Sequence, residues 1–279
     1  MLFAMSEEDV IARSERPATI ATLLTDLRAL GIETGMTVMV HSSLSRLGFV
    51  AGGAQAVVMA LAEAVGSDGT LMMPTHSSDL TDPAPWQHPP VPSSWWDTLR
   101  EETPAFDPRL TPSRHMGAIV ECFRHLPGVE RSSHPTTSAA AVGPNASTLV
   151  AGHELAHGLG ESSPQARLYD LDGHILLLGV THANNTSLHL CEYRSAPADA
   201  PMTTYASPVM VGGRRTWTTY ANLVDDDSDF ERVGDEFAAT GLQRSGRVGA
   251  GVGHLMRARD LVDFGTGWMR THRHGAPAG

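Results

Sequence analysis

Lysine is missing from this sequence: all 20 basic residues among its 279 are arginine. Without an ε-amine there is no phosphate-loop lysine, no Schiff base and no pyridoxal anchor. Any phosphate must be held by arginine, hydroxyls or helix N-termini. Cysteine is scarce too. Cys122 and Cys191, with no C-x-x-C pair, exclude a disulfide framework and a thiolate zinc site, and they fit a reducing cytoplasm. Hydrophobic residues make up 41% of the chain, yet no run approaches the roughly 20 apolar residues of a membrane helix. The first ten residues carry Glu7, Glu8 and Asp9 where a secretory signal carries positive charge, so export is not expected and Met5 is a candidate alternative start. The net charge of −11 disfavours nucleic acid and anionic membranes as partners and favours a cationic ligand wherever the carboxylates cluster.

What is present alternates between strand and helix patterns. Ile20, Leu23, Leu24, Leu27 and Leu30 share one helical face over residues 19–30, and Gly31 is a natural stop. Residues 36–40 read as a strand, followed by His41-Ser42-Ser43, a glycine-containing turn and a helix over 54–65. A further strand is expected at 70–74. This order argues for an α/β architecture with parallel pairing. Residues 75–112 then change character: five prolines within 83–92, together with Trp86, Trp95 and Trp96, sit around Asp79 and Asp82, the composition of a functional loop or lid. Beyond it the spacing predicts a helix at 116–124, a strand at 138–142, a fully buried strand at 175–180 and a helix at 184–194. The last third contains a hairpin at Gly212-Gly213, the acidic tract Asp225-Asp226-Asp227, a helix at 230–240 and a final helix at 252–261. There is no internal repeat. The whole reads as one domain over 19–272, with an N-terminal extension at 1–18 and a flexible tail at 273–279.

The junction from Gly179 to Glu192 is the most informative stretch. Asn184 or Asn185 is placed to cap a helix on whose face His189 and Glu192 then stand together. Imidazole titrates near neutrality and a carboxylate beside it fixes its tautomer, which suits general-base chemistry, but a buried core histidine beside a solvated glutamate satisfies the same spacing. His182, His189 and Glu192 also make a loose two-histidine, one-carboxylate set, although the H-E-x-x-H spacing of zinc hydrolases is absent. Cys191 lies on a different helical face from His189 and reads as a packed thiol. His41-Ser42-Ser43-Leu44 follows a strand and precedes a helix, placing hydroxyls and N–H groups where a pyrophosphate can dock. Gly249-Ala250-Gly251-Val252-Gly253 lacks the strand and βαβ setting of a dinucleotide fingerprint and reads as a tight helix entry. Gly160-Glu161-Ser162-Ser163-Pro164 is not a nucleophile elbow, because its fifth residue is proline. Arg131, beside Ser132-Ser133-His134-Pro135, suits either a phosphate or a structural partner.

The order of these segments resembles the aminoglycoside 3-N-acetyltransferase family. The resemblance is carried by Val40-His41-Ser42-Ser43-Leu44, Gly69-Thr70-Leu71-Met72-Met73-Pro74-Thr75, Phe106-Asp107-Pro108, Met116-Gly117, Arg131-Ser132-Ser133-His134-Pro135, Gly143-Pro144, Ser163-Pro164, Leu176-Leu177-Leu178-Gly179-Val180 and Asn185-Thr186-Ser187-Leu188-His189-Leu190-Cys191-Glu192, and it spans residues 19–264. It implies a single compact α/β domain with a mixed central sheet flanked by helices, of the antibiotic N-acetyltransferase type rather than the general N-acetyltransferase fold. It implies acetyl transfer from acetyl-CoA, without a metal or an acyl-enzyme, to the 3-amino group of the deoxystreptamine ring. His189 is then the base and Glu192 its orienting or substrate-polarising partner. His41, Ser42, Ser43 and Leu44 hold the pyrophosphate, with Thr75 and Arg131 also on the cofactor side. Backbone near Asn185 and Thr186 is a candidate oxyanion site, and Asp79, Asp82, Asp225, Asp226 and Asp227 are candidates for a polycationic drug. Whether the chain forms a homodimer is left open. Rival readings are an acyltransferase for another amine, a metal-dependent hydrolase on His182, His189 and Glu192, and a non-catalytic drug binder.

Overall fold

A computed structural model describes residues 6–275; Met5 and the last four residues lie outside them. The described chain opens with α1 (Glu7–Ala12) and α2 (Ile20–Leu30), the latter capped reciprocally by Thr19 and Thr22 and stopped at Gly31. Then come β1 (Thr37–Ser42), α3 (Gly53–Val65), β2 (Thr70–Pro74), α4 (Trp96–Glu102), α5 (Gly117–Phe123), β3 (Glu130–Arg131), β4 (Ala139–Val142), α6 (Ala146–Val150), α7 (Pro164–Asp170), β5 (His174–Leu178) and α8 (Ser187–Ser195). The last third supplies β6 (Met202–Val211), β7 (Arg214–Leu223), α9 (Phe230–Ala238), β8 (Arg244–Val248), β9 (Gly251–Arg257) and α10 (Ala258–His274).

Seven strands form one mixed sheet in the order β3-β4-β2-β1-β5-β9-β8, with β2, β1 and β5 parallel and both flanks antiparallel. Successive side chains of a strand point to opposite faces. Val38, Val40, Leu71, Met73, Leu176 and Leu178 therefore pack against α2, α3 and α5. Met39, Met72, Ile175 and Leu177 pack against α6 to α10. Because both faces are covered, the central strands read as continuous apolar runs, as sheets buried on two sides do. From β1 the sheet continues to β2 on one side and to β5 on the other, so a crevice opens beyond the carboxyl ends of β1 and β5, where ligands of such sheets bind.

The expected mixed α/β domain is found, with corrections near its end. Residues 251–257 are strand β9, not the start of a helix, and Gly249-Ala250 is the turn of the β8–β9 hairpin rather than a helix entry. Leu255 is buried on one face and Met256 on the other, so the strand is covered on both sides there and, interrupted by glycines, shows no simple period. Polar β8 is an edge strand, where exposed charge is the rule. Helix α10 runs through His274, so the expected tail boundary at 273 falls inside a helix. At the other end Ala18 pairs with Val50, tying the expected extension to the domain. The hairpin at Gly212-Gly213 is present with ten-residue strands on both sides; φ of 56° and 78° at the two glycines is the twist a two-residue hairpin turn needs.

Candidate active site

Helix α8 follows β5 through a turn at residues 179–186. The N-cap position falls on Thr186, not on either expected asparagine, but the Asn185 side-chain oxygen just before it accepts from the Ser187 N–H at 3.2 Å and satisfies one free amide of the helix start. One turn later His189 Nδ1 lies 2.6 Å from Glu192 Oε2. Glu192 is 3% exposed at its side chain, and its other oxygen accepts from Arg273 Nη1 at 2.6 Å and from the Asp226 N–H at 2.8 Å. A carboxylate so placed accepts only, which makes Nδ1 the donor and leaves Nε2 as the imidazole's lone-pair nitrogen. Phe230 closes one side of the ring edge-on at 4.9 Å, and 14% of the His189 side chain remains exposed. Arg273 also pairs with Asp229, so α10 and the start of α9 clamp the glutamate that holds the histidine.

A cleft of about 1260 Å³ opens at the crevice predicted by the strand order. Ser42, Ser43 and Leu44 line it, as the sequence suggests, facing Gly179, Val180 and Thr181 across the β1–β5 gap. Gly179 has φ of +70°, and a Cβ there would meet Arg46 Cβ at 2.8 Å; only glycine lets the two segments close up. Gly53 at the start of α3 and Gly117 at the start of α5 add helix N-termini to the wall, and Arg13 and Arg46 add cations. Ser42 Oγ is buried with no hydrogen-bond partner. Helix N-termini, arginines and an unsatisfied hydroxyl form an anion-binding environment that fits a diphosphate. Sequence reasoning missed Arg13, Arg46 and Gly53, whose only signal is proximity created by the fold, and gave Gly117 only as part of the resemblance.

The other expected cofactor residues do not line that cleft. Thr75 is fully buried and Arg131 donates to Thr75 Oγ1 (2.9 Å), Ser138 Oγ (3.0 Å), the Thr75 carbonyl (2.6 Å), Ser77 Oγ (3.3 Å) and the Thr111 carbonyl, while stacking on Phe106. Burial among neutral acceptors pulls its guanidinium down to about 10. Arg131 and Thr75 are thus the anchor of the long excursion over residues 75–112. His41 is buried on the opposite face of β1 from Ser42, its imidazole held down at about 3 by burial and by His182. The Asn185 N–H, a candidate oxyanion donor, is spent on the His182 carbonyl at 2.9 Å.

Among the expected drug-binding carboxylates, Asp79 is paired with Arg114 and Asp82 with Arg100. The tract Asp225-Asp226-Asp227 is exposed and lies beside the dyad, the Asp226 backbone bonding Glu192. The hydrolase set does not assemble: His182 Nε2 meets Gln243 at 2.8 Å, its Nδ1 faces Asn185, and no group of three His, Cys, Asp or Glu among the described residues is placed to hold a metal. Cys191 is buried against the Ser187 and Val262 carbonyls, and burial pushes its thiol up to about 12, so it is no nucleophile near neutrality.

Fold and site together describe an α/β protein with a His–Glu pair on α8 and a cleft walled by hydroxyls, arginines and helix N-termini past β1 and β5. Comparison with known proteins gives it a family: residues 39–270 match the family described as aminoglycoside 3-N-acetyltransferase, and the chain belongs to it. It is 41% identical over 261 residues to the SPbeta prophage-derived aminoglycoside N(3')-acetyltransferase-like protein YokD of Bacillus subtilis, covering 93% of this chain and 95% of the relative. The crystal structure of YokD superposes with a TM-score of 0.93 at 39% identity, covering 97% and 100% of the two chains. Aminoglycoside N(3)-acetyltransferase VIII of Streptomyces fradiae is 38% identical over 99% of this chain and 100% of its own. A solved AAC-IIIb, described as binary with CoASH, superposes at a TM-score of 0.83 and 30% identity, covering 95% and 100%. Among the described residues no helix is long and apolar enough to cross a membrane.

Proposed function

We propose that the protein transfers the acetyl group of acetyl-CoA to the 3-amino group of the deoxystreptamine ring of aminoglycosides, and so confers resistance to them. The observation that carries this reading is the His189–Glu192 pair, in which a buried carboxylate fixes the imidazole with Nε2 available as base. An ammonium cannot attack a thioester. Its first proton goes to solvent; His189 Nε2 then takes the second from the amine nitrogen as that nitrogen forms the C–N bond, and the imidazolium gives this proton to the departing thiolate. Both oxygens of Glu192 are engaged within the protein, so it serves the imidazole and leaves drug recognition to Asp225, Asp226 and Asp227.

On this reading the cleft walled by Ser42, Ser43, Leu44, Arg13 and Arg46 holds the coenzyme's phosphates, and its end at Asn184 brings the thioester toward α8. The setting is cytoplasmic, where acetyl-CoA is made and free thiols stay reduced. Free thiol release from acetyl-CoA is the direct test. An aminoglycoside panel assayed between about pH 6 and 8.5, spanning a histidine titration, accelerates release. If no aminoglycoside does so, the reading fails; if only unrelated amines do, the substrate class is wrong and the chemistry stands.

A further inference from the structure

A second histidine within electrostatic reach of the base is left unused by the mechanism above. His76 lies just past β2, in a stretch that keeps the sheet's pairing: Thr75 N–H bonds the Ser138 carbonyl at 2.8 Å and Ser77 N–H the Thr136 carbonyl at 3.0 Å. Alternation therefore continues through it. Thr75 and Ser77 point to the face where Arg131 gathers them. His76 points, with Met72, to the face that carries α8 and His189. On the neighbouring strand β1, His41 lies two residues beyond Met39, the register partner of Met72, and points the same way. The ring of His76 is within electrostatic reach of His189, His41, His134 and His153. Its Nε2 is buried with no hydrogen-bond partner. A buried polar atom left unpaired is costly, and in a native protein such an atom calls for an explanation, a catalytic role among them.

Resting on the acetyl-transfer reading, we propose that His76 is a catalytic residue that donates its Nε2–H to the acetyl carbonyl oxygen as negative charge develops there. As the amine nitrogen bonds the carbonyl carbon, the π pair of the C=O moves onto oxygen, where His76 meets it. When the pair returns, the C–S bond breaks, and the proton that His189 took goes to sulfur. Two neighbouring imidazoles divide the work because their surroundings differ. His189 has Glu192 to support its imidazolium, whereas burial and the neighbouring imidazoles hold His76 down at about 3, so it stays a neutral N–H donor at every working pH. Of the backbone donors the sequence suggests, the Asn185 N–H is already bonded to the His182 carbonyl.

The test compares His76→Phe, which removes the donor and keeps the ring, with His76→Gln, which keeps an N–H donor that never titrates. Removing one oxyanion donor lowers kcat by roughly 10²–10³. His76→Phe should show that loss with KM for acetyl-CoA and for the drug within about threefold of the parent, and His76→Gln should recover at least about a tenth of the parent kcat. A kcat for His76→Phe within threefold of the parent, a loss that falls on KM alone, or equal losses in both variants at unchanged melting temperature overturns the proposal. A fall in melting temperature in both variants that tracks the lost activity assigns His76 a structural role and overturns it as well. The parent protein keeps the two readings apart: thiol release with aminoglycosides by the parent establishes the transfer reaction whatever His76 does.

Discussion

At the residue scale the site depends on a chain of restraint rather than on one side chain. Arg273 holds Glu192, Glu192 holds His189 Nδ1, and His189 Nε2 is what remains for chemistry. His189→Ala is expected to lower kcat by about 10²–10⁴, the range of a lost general base, while calorimetric binding of the drug changes little. Equal losses in turnover and binding would instead mark His189 as structural. The i, i+3 spacing of the pair was legible in the sequence, because a helix alone brings those positions together. Arg273 was not legible: it lies 81 residues from Glu192, and nothing local marks it off from the 19 other arginines.

At the scale of elements, α10 is both a cover for the sheet and part of the site. Its amphipathic face buries Leu261, Val262, Trp268 and Met269, and its last turn delivers Arg273 to Glu192 and Asp229. Ending the chain at His272 should therefore cost about 2–3 kcal/mol, since removing one partner of a largely buried ion pair strands the other charge. That corresponds to a melting temperature several degrees lower. Kcat should fall with it, as Glu192 loses the cation that fixes it. Arg273→Met in the full chain should reproduce both effects; a truncated protein with unchanged melting and turnover would show the clamp to be idle. The strand elements β8 and β9 explain why this end misread as helix. Glycines at 249, 251 and 253 leave few side chains to show a period, and an edge strand need not look apolar.

At the scale of the whole molecule, histidines held well below their usual range set its behaviour in acid. Burial holds His41, His76 and His153 at about 3 and His134 at about 4. In the unfolded chain they titrate near 6.5, so between that value and about 3–4 the unfolded state binds more protons and stability rises with pH. Their contribution is complete above the unfolded pKa and is lost as pH falls toward the folded values. Moving from pH 7 to 5 should cost on the order of 1 kcal/mol per histidine, visible as a lower urea midpoint. A midpoint independent of pH over that interval would show that these rings are charged or solvated in the native state. His134 and His153 stack at 4.6 Å and bond the Leu155 and Gly158 carbonyls and Ser132, so replacing His153 by Gln should reduce the slope.

The sequence by itself determined the architecture and the dyad. Strand runs, helix faces and the His189–Glu192 spacing are local properties, set by backbone periodicity and by which residues can be left in water. The Ser42-Ser43-Leu44 turn was likewise visible, because a strand that ends in hydroxyls before a helix exposes donors wherever it occurs. Only the tertiary structure decided which polar residues keep their valences free. Arg131 and Thr75 look ready for a phosphate in the chain, yet the fold spends them on anchoring residues 75–112. Asp79 and Asp82 are consumed by Arg114 and Arg100, whereas Asp225, Asp226 and Asp227 arrive beside Glu192 because hairpin β6–β7 hands the chain back to α8. Hydrogen bonding is satisfied in space, and a side chain's availability is settled only when distant segments have closed around it.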